Sequence, residues 1–143
     1  MSAAANKQIL QNVFAEMAEG NTARFRDCLS DDISWSFKGS TKWTMTYRGK
    51  QAVLRELLGP IFAQFANQYT STAERFVADE DLVVVETRGN VMTKSGRAYC
   101  NKYCYVCRMR DGKIIELTEY MDTALADAVL ADPVTMNHAT EPA

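Results

Sequence analysis

The chain lacks most of the usual polar catalytic equipment. It has one histidine, His138, which lies in a tail after Pro133. A Ser–His or Cys–His mechanism therefore has no base to draw on. No glycine-rich loop of the phosphate-cradling kind is present. Lysine and arginine are scattered, form no basic block and leave a formal net charge of −2, which argues against a nucleic-acid partner. No run approaches the roughly 18 apolar residues of a membrane helix. The first residues, Met1 to Lys7, lack the apolar centre of a secretory signal. These absences point to a cytoplasmic protein with no membrane association. Internal repeats and low-complexity linkers are also missing.

Cysteine is present but does not form a framework. Of Cys28, Cys100, Cys104 and Cys107, three fall close together. On a strand Cys100 and Cys104 share a face and Cys107 takes the other. The spacing matches no zinc motif, so no metal is expected. Reduced cysteines packed as small hydrophobes are the reading that remains.

What is there suits one domain with a core: 143 residues, 47% of them hydrophobic. Residues 7–19 carry Ile9, Leu10, Val13, Phe14 and Met17 at helical spacing, closed by Gly20. Asn21 is placed to cap a short second helix with Phe25, Cys28 and Leu29. Ile33 to Phe37 alternates as a strand, and 38–49 reads as a loop holding Trp43 and Tyr47. A third helix, about 50–65, carries Val53, Leu54, Leu57, Leu58, Ile61, Phe62 and Phe65, with a kink or break expected at Gly59-Pro60. Four strands follow at about 68–78, 82–93, 97–109 and 113–122, joined by short turns, of which Asp111-Gly112 is the strongest signal. A last short helix is expected over 123–130. Early helices and a late antiparallel meander give an α+β fold with helices on one face of a curved sheet.

The strands carry the functional signal. Side chains two apart share a strand face. Glu86/Arg88/Asn90, Asn101/Tyr103/Tyr105 and Glu119/Met121 thus form three polar or aromatic rows, the make-up of a small-molecule pocket. The opposite face of strand 82–93 offers Val83, Val85, Thr87 and Val91, which also need cover. A sheet-to-sheet homodimer would supply it.

Four segments carry a resemblance: Asp32-Ile33-Ser34-Trp35, Tyr47-Arg48-Gly49, Gly96 with Tyr99-Cys100-Asn101-Lys102-Tyr103, and Asp111-Gly112-Lys113-Ile114 leading to Glu119-Tyr120-Met121-Asp122. In order and spacing, over about residues 7–125, the chain resembles a SnoaL-like domain of the nuclear transport factor 2-like superfamily. Ketosteroid isomerases, limonene epoxide hydrolases and polyketide cyclases belong to that group. The resemblance implies a cone-shaped, cystatin-like α+β barrel: a curved mixed sheet wrapped around the N-terminal helices, with a cavity between, and commonly a homodimer. It places Trp35, Phe37, Glu86, Arg88, Asn90, Asn101, Tyr103, Tyr105, Glu119 and Met121 inward.

The known chemistries of the fold match in part. The isomerase base position falls on Phe37 and the oxyanion carboxylate near Tyr105. Of the hydrolase's three core residues, the arginine matches Arg88 and the water-activating carboxylate Glu119, while the acid becomes Asn90, which has no acidic proton to give. A cyclase needs one carboxylate in an apolar pocket, and Glu119 is the candidate, with Asp122 as the alternative if a bulge turns it inward. The sequence reading therefore assigns catalytic roles to Glu119, Arg88, Asn90 and Tyr105. Trp35, Phe37, Glu86, Asn101, Tyr103, Met121 and Asp122 form the pocket, the ligand is a small apolar organic molecule, and no cofactor is called for. Competing structural readings stand beside these. Arg88 with Glu86 or Glu119 would be a buried ion pair, the tyrosines plain strand aromatics, and Asp122 the cap of the last helix.

Overall fold

The computed structural model describes residues 1–133; His138 and the rest of the expected tail lie outside them. Helix α1 spans Ala3–Met17, with Ser2 Oγ accepting from the Ala5 amide at 3.1 Å. Its buried stripe is Leu10, Val13, Phe14 and Met17 with Asn6. Gly20, at φ 88°, turns the chain. Asn21 Oδ1 then takes the Ala23 amide at 3.1 Å as α2, Ala23–Cys28, begins. Strand β1 is Leu29–Phe37 and β2 is Thr46–Arg48. The expected loop thus contains a short edge strand. Trp43 is buried there because its Nε1–H donates to the Ala131 carbonyl at 2.9 Å.

Helix α3 runs without a break through Lys50–Ala52, Val53–Leu58 and Gly59–Phe62, and its middle stretch is π-helical. The sequence predicted a kink or break at Gly59-Pro60. Instead the helix widens just before the proline. Pro60 has no N–H and its ring would collide with a carbonyl one α-turn back, and the wider π turn relieves both problems. A side chain at 59 would put its Cβ 2.9 Å from the Leu54 carbonyl, so the turn requires glycine.

Strands β3 (Thr70–Asp79), β4 (Leu82–Asn90), β5 (Lys102–Arg110) and β6 (Lys113–Met121) form the meander, and α4, Thr123–Val129, follows it. The β5–β6 turn places Asp111 at φ 51° and Gly112 at φ 77°, the paired left-handed conformation that a two-residue hairpin needs. The sheet order is β2-β1-β6-β5-β4-β3. All neighbours are antiparallel except β1 and β6, which run parallel and set Phe37 beside Glu119. The result is a curled mixed sheet with helices packed in its concave face.

The structure reverses the expected facing of β4. Val83, Val85, Thr87 and Gly89 point into the core, while Arg88 and Asn90 are exposed and Glu86 is only half-buried, on the outer surface. The Val83/Val85/Thr87 face is thus already covered by the chain's own helices, so it leaves nothing for a second copy to cover. Register fixes this arrangement. Val85 and Thr87 lie opposite the inward Tyr105 and Tyr103, and Glu86 and Arg88 lie opposite Cys104 and Lys102. Burying two valines favours folding, whereas burying a carboxylate, a guanidinium and an amide in one row costs far more.

Asn101 is buried, yet it is a strut and not part of a pocket wall. Its Nδ2 donates to Tyr99 Oη at 3.0 Å and to the Asp122 carbonyl at 3.1 Å, and its Oδ1 accepts from the Lys102 and Asp122 amides. It thereby ties the start of β5 to the end of β6. Asp122 does not turn inward; its Oδ1 accepts from the Leu125 amide at 3.2 Å and caps α4. Replacing Asn101 with Ala would remove the partner of the Asp122 amide, one of the two donors to the Asp122 carbonyl and the donor to Tyr99 Oη. The Asn101→Ala variant is expected to lose about 3 kcal/mol, read as a lower urea midpoint with an unchanged slope. A loss under about 0.5 kcal/mol would show that the strut is dispensable.

Candidate functional site

A cavity of about 340 Å³ lies between the concave sheet and the helices, at the small end of the roughly 300–1,000 Å³ range of ligand pockets. The sheet contributes Trp35 and Phe37 from β1, Tyr103 and Tyr105 from β5, and Glu119 from β6; Tyr69 adds to that wall just before β3. The opposite wall is helical. Leu54, Leu57, Leu58, Ile61 and Phe62 of α3 supply its apolar surface, with Phe65 beyond the helix end. Phe25 and Arg26 of α2 and Thr22 before it complete the rim together with Met17. The π turn carries Leu54, Leu57 and Leu58, so the widened helix shapes this wall directly.

Glu119 is the one carboxylate among the described lining residues, and it is 4% exposed. Its Oε1 accepts from Trp35 Nε1–H at 3.0 Å. Burial pushes the carboxyl up to about 8, and the Trp35 N–H draws it only partly back. Desolvation disfavours the charged form, while a donor favours it, and here desolvation dominates. Trp35 is itself held edge-on between Phe25, with centroids 5.8 Å apart, and Tyr105, at 6.4 Å.

The tyrosines divide into two kinds. Tyr105 sits directly across from Glu119 in the β5–β6 pairing and lines the cavity beside it. Burial holds its phenol well above the ordinary value, and the Glu119 charge adds to that. Tyr103 stacks on Tyr105 with centroids 5.5 Å apart. The hydroxyls of Tyr69 and Tyr99 both feel that of Tyr103, and the Tyr69 hydroxyl also feels that of Ser71. Ser71 in turn shares a 2.6 Å hydrogen bond with Thr87. These hydroxyls form a polar seam under an otherwise apolar cavity. Gly89 makes room for it, since a Cβ there would meet Tyr69 Oη at 2.9 Å.

Of the residues singled out by sequence, Trp35, Phe37, Tyr103, Tyr105 and Glu119 come together around the cavity. Arg88, Asn90 and Glu86 do not. Glu86 forms an outer-face ion pair with Arg75 of β3, and Asn90 Oδ1 lies 3.3 Å from Cys100 Sγ. Arg88 therefore orients nothing in the cavity, and Trp35 is the residue that holds Glu119. Met121 is half-buried beside Tyr103, packed between the two core clusters and outside the cavity wall. The sequence reading missed Tyr69, Thr22, Phe25 and Arg26 as lining residues. It had read the apolar stripe of α3 without assigning it to a wall, because a cavity wall and a core face have the same periodicity.

Among curated proteins, none matches this chain. Solved structures share its shape at low identity. Bal32a, from a soil-derived mobile gene cassette, is 16% identical and superposes with a TM-score of 0.76, covering 90% of this chain and 98% of that one. A protein of unknown function with a cystatin-like fold from Xanthomonas campestris is 23% identical, with a TM-score of 0.74, covering 88% of this chain and 98% of that one. TerC, co-crystallised with polyporic acid, is 18% identical, with a TM-score of 0.71, covering 87% and 96%. At these identities the likeness shows the fold. Among the described residues no helix is long and apolar enough to cross a membrane. The family model for the SnoaL-like domain matches residues 10–117, so most of this curled sheet and its helical cover is accounted for, and the chain belongs to the SnoaL-like domain family.

Proposed function

We propose that the protein binds a small, largely apolar organic molecule in this cavity and moves a proton on it without a cofactor, in the manner of an isomerase or cyclase. One observation carries the reading. Among the described residues that line it, one carboxyl, Glu119, is buried in this apolar chamber, with one oxygen held by Trp35. A group titrating near 8 exchanges protons readily at neutral pH, which suits it to act as both acid and base. Tyr105, across the strand pair from Glu119 and in the cavity wall, is placed to donate to an oxygen that gains charge. Epoxide hydrolysis loses its support, because the arginine and acid positions, Arg88 and Asn90, lie on the outer face. TerC, seen with polyporic acid, is a relative in shape whose structure holds a small organic molecule.

The test is proton exchange next to a carbonyl. Cyclic ketones such as 2-tetralone, incubated with the protein in deuterated buffer, should lose their α-proton NMR signal faster than in buffer alone. Glu119→Gln should remove about 10²–10⁴-fold of that acceleration. The rate should climb with pH as the base form appears and level off above about 8. Ketone binding with no exchange would mean a binding protein, and accelerated exchange indifferent to Glu119→Gln would mean that Glu119 is not the base.

Stability carries the same signature independently of any ligand. Glu119 keeps its proton in the fold at pH values where the unfolded chain has lost it. Its contribution is thus full below about 4.5, the ordinary glutamate value, falls as pH rises towards about 8, and is then constant. The slope approaches about 1.4 kcal/mol per pH unit. Urea unfolding at several pH values across that window should show the wild type losing stability relative to Glu119→Gln. Parallel curves would show that the carboxyl is not desolvated in solution.

A further inference from the structure

Among the described residues, two charged side chains, Glu119 and Arg26, line the cavity, and they do not pair. Glu119 takes its hydrogen bond from Trp35, and no ion pair joins it to Arg26. Arg26 sits at the rim on α2, half-buried, with its Nη1 donating to Thr22 Oγ1. That contact holds the guanidinium in place with a neutral acceptor. Its neighbour Arg24 pairs with Glu16, whereas Arg26 has no carboxylate partner among the described residues. The smaller groove beside the rim, which shares Thr22, Phe62, Phe65 and Tyr69 with the cavity, adds Gly20, Asn67 and Gln68 and no charge. A fixed, uncompensated guanidinium therefore marks one end of an apolar chamber whose other polar anchor is Glu119.

We propose that the ligand is an organic anion, an aryl or cyclic carboxylate, whose acid group docks on Arg26 and Thr22 at the rim while its apolar body fills the chamber towards Glu119. This rests on the reading of the cavity as a ligand site. A planar guanidinium matches a carboxylate through two parallel hydrogen bonds, and partial burial strengthens them. The same charge steers an anion to the mouth. Glu119, mostly protonated at neutral pH, adds little repulsion to an anion entering from the rim.

The test compares 2-naphthoate with its uncharged isostere 2-naphthamide by calorimetric titration at pH 7. The wild type should bind the carboxylate about tenfold more tightly than the amide. Arg26→Gln should bring the two to parity, with an unchanged urea unfolding midpoint showing that the variant is folded. Arg26→Lys should keep part of the preference, and Arg24→Gln all of it. Equal binding of the two probes to the wild type, or a preference that survives Arg26→Gln, would overturn the anion assignment while leaving the cavity a ligand site. Failure of both probes to bind the wild type would remove the ligand-site reading and this assignment together.

Discussion

The parallel pairing of β1 with β6 is the constraint on which the site depends. It is the one parallel contact in the sheet and brings together residues 84 positions apart in sequence. It sets Phe37 beside Glu119 and lets the Trp35 indole reach the Glu119 carboxyl from the same face. A buried carboxyl without a donor would be costly, and one with several would ionise at ordinary pH. A single indole N–H leaves the group between these limits, which is where proton transfer at neutral pH is possible.

The rest of the fold keeps that carboxyl dry. Phe14 of α1 packs against Tyr105 and Phe76, and Phe25 of α2 packs against Trp35. Helix α3 closes the other side, and its π turn carries three of the leucines that line the chamber. The turn follows from the Gly59-Pro60 pair, so two residues with no functional group help to shape the cavity. The polar seam of Thr87, Ser71, Tyr69 and Tyr103 lies beneath this shell, with Asn101 anchoring its far end to β6 through Asp122.

Strand periodicity read the rows correctly but could not by itself say which row faces in. Along β4 every second residue shares a face whichever face is buried, and shifting the choice by one residue exchanges Glu86/Arg88/Asn90 for Val83/Val85/Thr87. A polar row resembles a pocket wall, and here that resemblance misled. The apolar row was the better guide to the inward face, because the core beneath the helices is built from hydrocarbon side chains such as Val83 and Val85. On β5 and β6 the same ambiguity did no harm, since Tyr103, Tyr105 and Glu119 alternate with more exposed partners such as Lys102 and Tyr120.

The sequence determined the local elements. Helical stripes, alternating strands, the Asp111-Gly112 turn and the pair Trp35/Phe37 are written in short-range patterns that sterics and burial read directly. It also offered Glu119 as a candidate carboxylate, with Glu86 in the inward set and Asp122 as the alternative. Tertiary structure alone decided which face of β4 turns inward and that Asn101 and Asp122 serve as strut and cap. It also made Trp35, and not Arg88, the partner of Glu119, and set Arg26 at the rim. Each of these depends on strand register or on helix-to-sheet packing between segments far apart in the chain. The free energy that chooses among such alternatives comes from burying whole faces, which no local window of residues contains.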